Sequence, residues 1–194
     1  MKNIGTIFII IIVCLTACKV KNGPVIEYDG DIRIEGFYKE DLKDSCWKYF
    51  DKDNNKILEE NYSSGKLNGK SFSWYPSGQI HSESDFKNDT MVGLFKIWYP
   101  NGQLNSITTR DCNGLENGES IIYHENGNLK QVGIFLNGSF HDTWIECYEN
   151  GQKESIKKYN NDIKTGEWVF FNENGDTIRT EIYENDSLIQ VRNY

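Results

Sequence analysis

The chain has 194 residues, of which 38% are hydrophobic, 26% charged and 13% aromatic; this is the composition of a folding chain and argues against a disordered one. Its 29 acidic and 21 basic residues leave a net charge of −8, which argues against nucleic acid as a partner and against electrostatic docking on anionic lipid. Aliphatic residues are sparse beside the aromatic ones, so rings must supply much of the buried area.

Taken in order, the chain opens with Lys2 and an apolar run from Ile4 to Leu15. A dozen residues are too few to cross a bilayer, which takes about 20, and suit the core of a secretory signal. The run ends in Leu15-Thr16-Ala17-Cys18 and turns at once to Lys19-Val20-Lys21-Asn22-Gly23. This ending resembles the bacterial lipobox, in which a small residue precedes an acylated cysteine. The resemblance implies a signal peptide over 1–17, cleavage between Ala17 and Cys18, and lipid attachment at Cys18. Two or three acyl chains anchor a protein stably in the lipid bilayer, at about 0.8 kcal/mol per buried methylene. Lys19 stands where aspartate would retain a lipoprotein in the inner membrane of enteric bacteria. The implied location is therefore the cell envelope, on a membrane, with the outer membrane favoured and the body facing the periplasm. Residues 18–27 are then the lipidated cysteine and a tether, flexible from Lys19 to Pro24. An uncleaved signal anchor is the alternative. Without Lys2 the mature chain has 20 basic residues against 29 acidic ones, a charge of about −9.

From Asp44 onward the sequence repeats. Units start at Asp44, Gly69, Gly93, Gly118, Asp142 and Gly166, in steps of 25, 24, 25, 24 and 24 residues. Each has a central turn: Asp53-Asn54-Asn55, Pro76-Ser77-Gly78, Pro100-Asn101-Gly102, Glu125-Asn126-Gly127, Glu149-Asn150-Gly151 and Glu173-Asn174-Gly175. An Asn-Gly pair between alternating runs signals a hairpin, because both residues tolerate positive φ. Alternation ahead of the turn, as at Trp47 and Tyr49, Phe72 and Trp74, Ile121 and Tyr123, or Val169 and Phe171, predicts a strand with that face inward. A second strand follows and ends on a ring at Tyr62, Phe86, Phe135, Tyr159 and Tyr183, with Arg110 breaking the column. The two longer steps place their extra residues in turns, near Asp53 and near Cys112-Asn113-Gly114.

The predicted fold class is all-β. It is an elongated, single-layer antiparallel sheet, twisted, built from about six tandem β-hairpin repeats of 24–25 residues and roughly 60 Å long. The predicted divisions are an N-terminal half repeat over 28–43, the array over 44–189 and a C-terminal capping strand over 190–194. Atypical ends are what such an array needs to cover its edges.

The glycine, the aromatic pair exemplified by Trp98-Tyr99, the Asn-Gly turn and the later ring resemble the variant MORN repeat, over roughly Asp44 to Ile189. The resemblance implies an elongated hairpin array that associates with membranes, scaffolds or binds protein. Bacterial proteins of this repeat are often antitoxin-like partners, so neutralising a toxin by binding is the alternative function. Asp142 and Cys147 depart from the pattern, and an envelope address departs from that of a cytoplasmic antitoxin.

Chemistry is scarce in the sequence. His81, His124 and His141 have no partner at regular spacing, and His124 stands where other units carry Tyr75, Tyr99 and Tyr148. Asp51-Lys52-Asp53-Asn54-Asn55 resembles a calcium loop but lacks its glycine and distal glutamate. Cys46, Cys112 and Cys147 show no Cys-x-x-Cys spacing and allow at most one internal disulfide, or three small buried thiols. No catalytic residue, metal site or cofactor is expected, and the chain is read as a non-enzyme. Tyr75, Tyr99 and Tyr148 fall on the face opposite the predicted inward column, together with Phe95, Ile97, Trp144, Trp168 and Phe170. Either the ribbon coils over this stripe, or Tyr75, Phe95, Tyr99, Trp144, Tyr148, Trp168 and Phe170 form an exposed aromatic surface for a protein or a glycan.

Overall fold

The computed structural model describes residues 20–194. The signal segment, Ala17 and Cys18 lie outside the described residues. Every element described is a strand. They are β1 (Gly23–Asp29), β2 (Ile32–Lys39), β3 (Leu42–Phe50), β4 (Lys56–Ser63), β5 (Lys66–Trp74), β6 (Ile80–Lys87), β7 (Thr90–Trp98) and β8 (Leu104–Arg110). There follow β9 (Glu116–Tyr123), β10 (Leu129–Leu136), β11 (Ser139–Cys147), β12 (Lys153–Asn160), β13 (Ile163–Lys164), β14 (Gly166–Phe171), β15 (Thr177–Glu184) and β16 (Ser187–Asn193). They form one open antiparallel sheet in chain order, with the short β13 on β12 just ahead of β14. All the larger packing contacts are between strands adjacent in this sheet, so among the described residues no second layer covers either face.

Two kinds of turn alternate. Short turns at Glu40-Asp41, Ser64-Gly65, Asn88-Asp89, Asn137-Gly138, Asn161-Asp162 and Asn185-Asp186 hold both residues at φ between 48° and 86°, the two-residue geometry that matches strand twist. Longer turns close each unit. At the second, the Tyr75 N–H donates to Gln79 O (2.9 Å) and the Gly78 N–H to Tyr75 O (2.8 Å), with Gly78 at φ 84°. This is a type I turn followed by a left-handed residue. The same pattern closes Asp51–Asn55, Tyr99–Gln103, His124–Asn128, Tyr148–Gln152 and Asn172–Asp176. In the Asn-Gly pairs of these turns, where both residues tolerate positive φ, only the glycine is left-handed.

The spacing of the turns also corrects the first unit. Ser45 (φ 62°) takes the left-handed place held by Gly69, Gly93, Gly118, Asp142 and Gly166, so the first unit begins one residue after Asp44. The first step is then 24 residues and no insertion exists near Asp53. The other insertion is where it was expected: the turn Asp111–Leu115 replaces a short turn and carries Cys112 and Gly114. At the N-terminal end, β1 and β2 form a complete hairpin, pairing Gly23 with Tyr38 through to Asp29 with Ile32. The Lys21 N–H donates to Asp41 Oδ1 at 2.5 Å and Lys21 O accepts from the Asp41 N–H. The expected flexible stretch to Pro24 is therefore tied into the sheet from Lys21 on.

Register assigns the faces. On one, here the ring face, Trp47 opposes Glu60, which opposes Ser71, which opposes Ser84; Phe95 opposes Thr108, then Ser120 and Gly133. Trp144 and Trp168 lie in the same row, beside Lys157 and Glu181. The core is here: Trp47, Trp144 and Trp168 are 0%, 2% and 6% exposed. Each large ring lies against a small or flexible neighbour. A Cβ on Gly36 would stand 2.3 Å from Trp47, and one on Gly133 would stand 2.1 Å from Trp144, so these glycines are required by close approach rather than by backbone angle. The predicted inward column was thus inverted beyond its first member. Trp47 was aligned with Phe72 by the one-residue error, whereas Phe72, Ile121 and Val169 lie on the reverse face.

Candidate functional site

The seven residues of the expected aromatic surface do share one face, and that face is the core. Trp144 and Trp168 are buried in it, while Tyr75, Phe95, Tyr99, Tyr148 and Phe170 are half-buried. Trp144 and Trp168 are on this ground corrected as members of an exposed stripe. Trp144 packs edge-on against Phe135 (4.9 Å) and Phe140 (4.5 Å), and Trp168 lies between Tyr159 (5.1 Å) and Tyr183 (4.8 Å). The indole N–H groups donate to Ile134 O and Lys158 O, leaving neither ring a free edge for a ligand.

The tyrosines are rungs between repeats. The Tyr75 hydroxyl donates to Trp98 O (2.7 Å), that of Tyr99 to Tyr123 O (2.8 Å) and that of Tyr148 to Phe171 O (2.8 Å). His124 holds the same place, with Nε2 2.8 Å from Cys147 O; the contact requires Nε2–H as donor, since a carbonyl only accepts. The turn asparagines add a second ladder. Asn101, Asn126 and Asn150 each accept a backbone N–H of their own turn on Oδ1, at 2.9 Å. Each also donates Nδ2–H to the carbonyl of Glu125, Glu149 or Glu173 in the next unit. At the short turns Asp41, Asp89, Asp162 and Asp186 accept a backbone N–H of the preceding unit. Stacking of the repeats is thus specified by polar side chains at both margins of the sheet.

Two shallow depressions lie on the ring face near its C-terminal end. One, about 370 Å³, is lined by Tyr148, Glu154, Phe170, Phe171, Ile178, Arg179 and Asn193; the other, about 270 Å³, by His124, Lys130, Gln131, Glu146, Cys147 and Glu154. Glu146 accepts from Lys157 Nζ (2.6 Å) and Ser155 Oγ (2.7 Å). Burial by itself raises its carboxyl, but these partners outweigh burial and hold it below the ordinary glutamate range. It is a satisfied ion pair, not a poised acid.

The reverse face was not singled out by sequence. Its central row runs Glu35, Lys48, Glu59, Phe72, Glu83, Lys96 over β2–β7. It then continues Ile107, Ile121, Val132, Ile145, Ile156, Val169 over β8–β14. The first half is covered in ion pairs, Arg33 with Glu35, Lys56 with Glu59, and Lys70 and Lys96 with Glu83. The second is an unbroken aliphatic ladder, extended sideways by Trp98, Tyr123 and Ile134. Only a register assignment shows that these residues, 11 to 14 apart in the chain, stand side by side.

The family description "MORN repeat variant" matches residues 67–88, 91–111 and 116–137. These three units are variant MORN repeats. The units to either side keep the same turn geometry and strand order. No curated protein matches the chain. Within these repeats His81 lies tilted against Tyr75, ring centroids 4.6 Å apart, and its Nδ1 meets Ser73 Oγ. Asp51, in the stretch that resembles a calcium loop, accepts the N–H groups of Asp53 and Asn55 within its own turn; these bonds, that of Asn55 first, hold its carboxyl below the usual range. Cys46, Cys112 and Cys147 are all free thiols. Among the described residues no three His, Cys, Asp or Glu side chains converge as metal ligands would. No described helix is long and apolar enough to cross a membrane. Cys18, the expected lipid site, lies outside the described residues.

Proposed function

We propose that the protein is a non-enzymatic, lipid-anchored component of a bacterial envelope, whose MORN-type sheet is a scaffold for protein binding. The observation that carries the reading is the aliphatic ladder Ile107–Ile121–Val132–Ile145–Ile156–Val169 on a one-layer sheet whose other face already holds the core. Antiparallel sheets that leave one face to water place polar residues on that face; here the face opposite the buried Trp144 and Trp168 carries an unbroken aliphatic row along its centre instead. Contiguous apolar surface of this kind marks an interaction site. The lipobox resemblance at Leu15–Cys18 supports the anchor, and the acidic surface supports a protein rather than a nucleic acid as the bound molecule.

A photo-cross-linking residue at 132, 145 or 156, in the full chain in its native envelope, tests the scaffold. Adducts to protein are expected at these positions and none at 48 or 59; absence of protein adducts at all three removes the reading. Labelled fatty acid should enter the wild-type chain and not Cys18→Ser. Label retained by that variant would refute attachment at Cys18.

A further inference from the structure

We infer that the aliphatic half of the reverse face is covered by the same half of a second copy of this chain, as a closed two-fold dimer. The inference rests on the reading of this face as a protein-binding surface and names what binds there. The ladder presents one aliphatic side chain per strand over six strands, a row about 29 Å long at ~4.8 Å per strand. With the flanking rows, about 20 Å across, one copy offers about 600 Å² and two copies bury about 1,200 Å², the lower end of what a stable specific interface needs. A central row with one strand's spacing and no polar group, edged on one side by the exposed Glu119, Lys158 and Glu167, fits the face of another sheet packed about 10 Å away with those charges at the rim. This chain carries such a face itself.

The charged half of the row decides the arrangement. If the two-fold axis ran across the strands, each copy's Glu35, Glu59 and Glu83 would be laid over their own counterparts, desolvated and like on like. If it runs parallel to the strands, the order of one sheet is reversed over the other. Ladder then meets ladder, and the two charged halves project into water at opposite ends. The overlap is limited to β8–β14, and the assembly closes at two copies instead of growing. The net charge of −8 per chain opposes pairing at long range and is screened over about 8 Å at physiological ionic strength, so the dimer should tighten as salt is added.

The test mixes copies of the full chain grown in heavy and ordinary nitrogen, each with the photo-cross-linker at 132, 145 or 156. Mixed-isotope adducts between two copies are expected there and none from 48 or 59, with twice the chain mass in sedimentation. Ile145→Thr, which keeps a β-branched side chain in the strand, should weaken association about tenfold, and more in a closed dimer where it counts twice. A chain that remains monomeric at tens of micromolar, adducts only to another protein or to lipid, or self-adducts mapping to 48 and 59 would each overturn self-pairing. Adducts to another protein alone would leave the scaffold reading standing, whereas no protein adduct at all would remove both.

Discussion

The two halves of the sheet share one repeat and differ in what they place on it. On the N-terminal side the reverse face is a mostly charged row broken by Phe72, and the ring face holds an isolated cluster: Trp47 between Tyr38 (5.0 Å) and Tyr62 (6.2 Å), capped by Lys43 Nζ at 4.2 Å. On the C-terminal side the reverse face is aliphatic, and the rings run without a gap from Phe135 through Trp144, Phe140, Tyr159 and Trp168 to Tyr183. Both changes fall at one place. Arg110 and Glu116 pair at 3.2 Å where other units carry rings and their lids, and the five-residue turn Asp111–Leu115 replaces a short one. Turns and rungs are common to both halves, so they set the fold. The faces are then free to diverge, and only the faces separate a solvated half from a sticky one.

The largest expected effect comes from removing a core ring in each half. Trp144→Ala should cost about 3–5 kcal/mol, since it opens a cavity in a continuous ring chain. By hydrogen exchange the loss should spread from β10 to β15. Trp47→Ala removes a ring of the same size from an island, so its loosening should stop within β2–β4. Equal spreading from both would erase the distinction between chain and island. Gly133→Ala and Gly36→Ala come next, at about 1–3 kcal/mol each by overpacking, with the C-terminal variant again perturbing more strands. A thermal melt unchanged by either would mean that the rings can shift aside.

The junction itself can be repaired. Arg110 Nε is buried without a hydrogen-bond partner while its terminal nitrogens bond Gly114 O and Glu116, and replacing an ion pair by apolar side chains of similar volume is often neutral or stabilising. Arg110→Phe combined with Glu116→Leu should raise stability by about 1–2 kcal/mol and carry exchange protection across β8 and β9. A loss of stability would show that the pair holds the halves together rather than dividing them.

Much of this was legible in the sequence, and the unread part has a physical cause. A 24-residue beat of turn residues fixes strand number and order, because turns act locally; the hairpins, the Asp111–Leu115 insertion and the broken ring column all follow. The face was misread because burial in a one-layer sheet depends on side-chain size against the neighbouring strand. Trp144 is buried because position 133 is glycine, 11 residues earlier, and alternation within a strand cannot see that. Asp44 and Ser45 show the second cause: a polar residue in the left-handed place looks nothing like the glycine it replaces, so the first frame slipped by one. The Tyr and Asn rungs were invisible because their acceptors are backbone carbonyls, which any sequence supplies.

Burial raises tyrosines in both halves, Tyr159 and Tyr183 in the C-terminal one, but the large shifts lie in the N-terminal cluster. Tyr62 is pushed up to about 12, by burial first and then by its hydrogen bond to Glu60, and Tyr49 is pushed up by the same two causes. A phenol whose folded pKa lies above its unfolded 10.0 contributes stability that is full below pH 10 and is lost as pH rises through the folded value. The N-terminal cluster should therefore weaken between about pH 10 and 12, read by phenolate absorbance together with exchange in β3 and β4. Glu60→Gln should lower the titration of both tyrosines. Unchanged titration would show that burial alone sets them.

The smallest effect is the sharpest test of how the halves are joined. Tyr99 is the rung that crosses the junction, its hydroxyl 2.8 Å from Tyr123 O on β9, while Tyr148 makes the same bond within the C-terminal half. Tyr→Phe at either place removes one hydroxyl and leaves a carbonyl to find water at a half-buried edge, a cost of about 0.5–1.5 kcal/mol. At 148 the continuous ring chain still couples the neighbouring units, so the loss should appear as a uniform drop in the stability of that half. At 99 no ring contact spans the gap. Tyr99→Phe should thus leave each half as stable as before while their unfolding transitions separate, seen as probe-dependent midpoints in a denaturant melt. Coincident midpoints in Tyr99→Phe would mean that strand pairing between β8 and β9 suffices to make the sheet one cooperative unit.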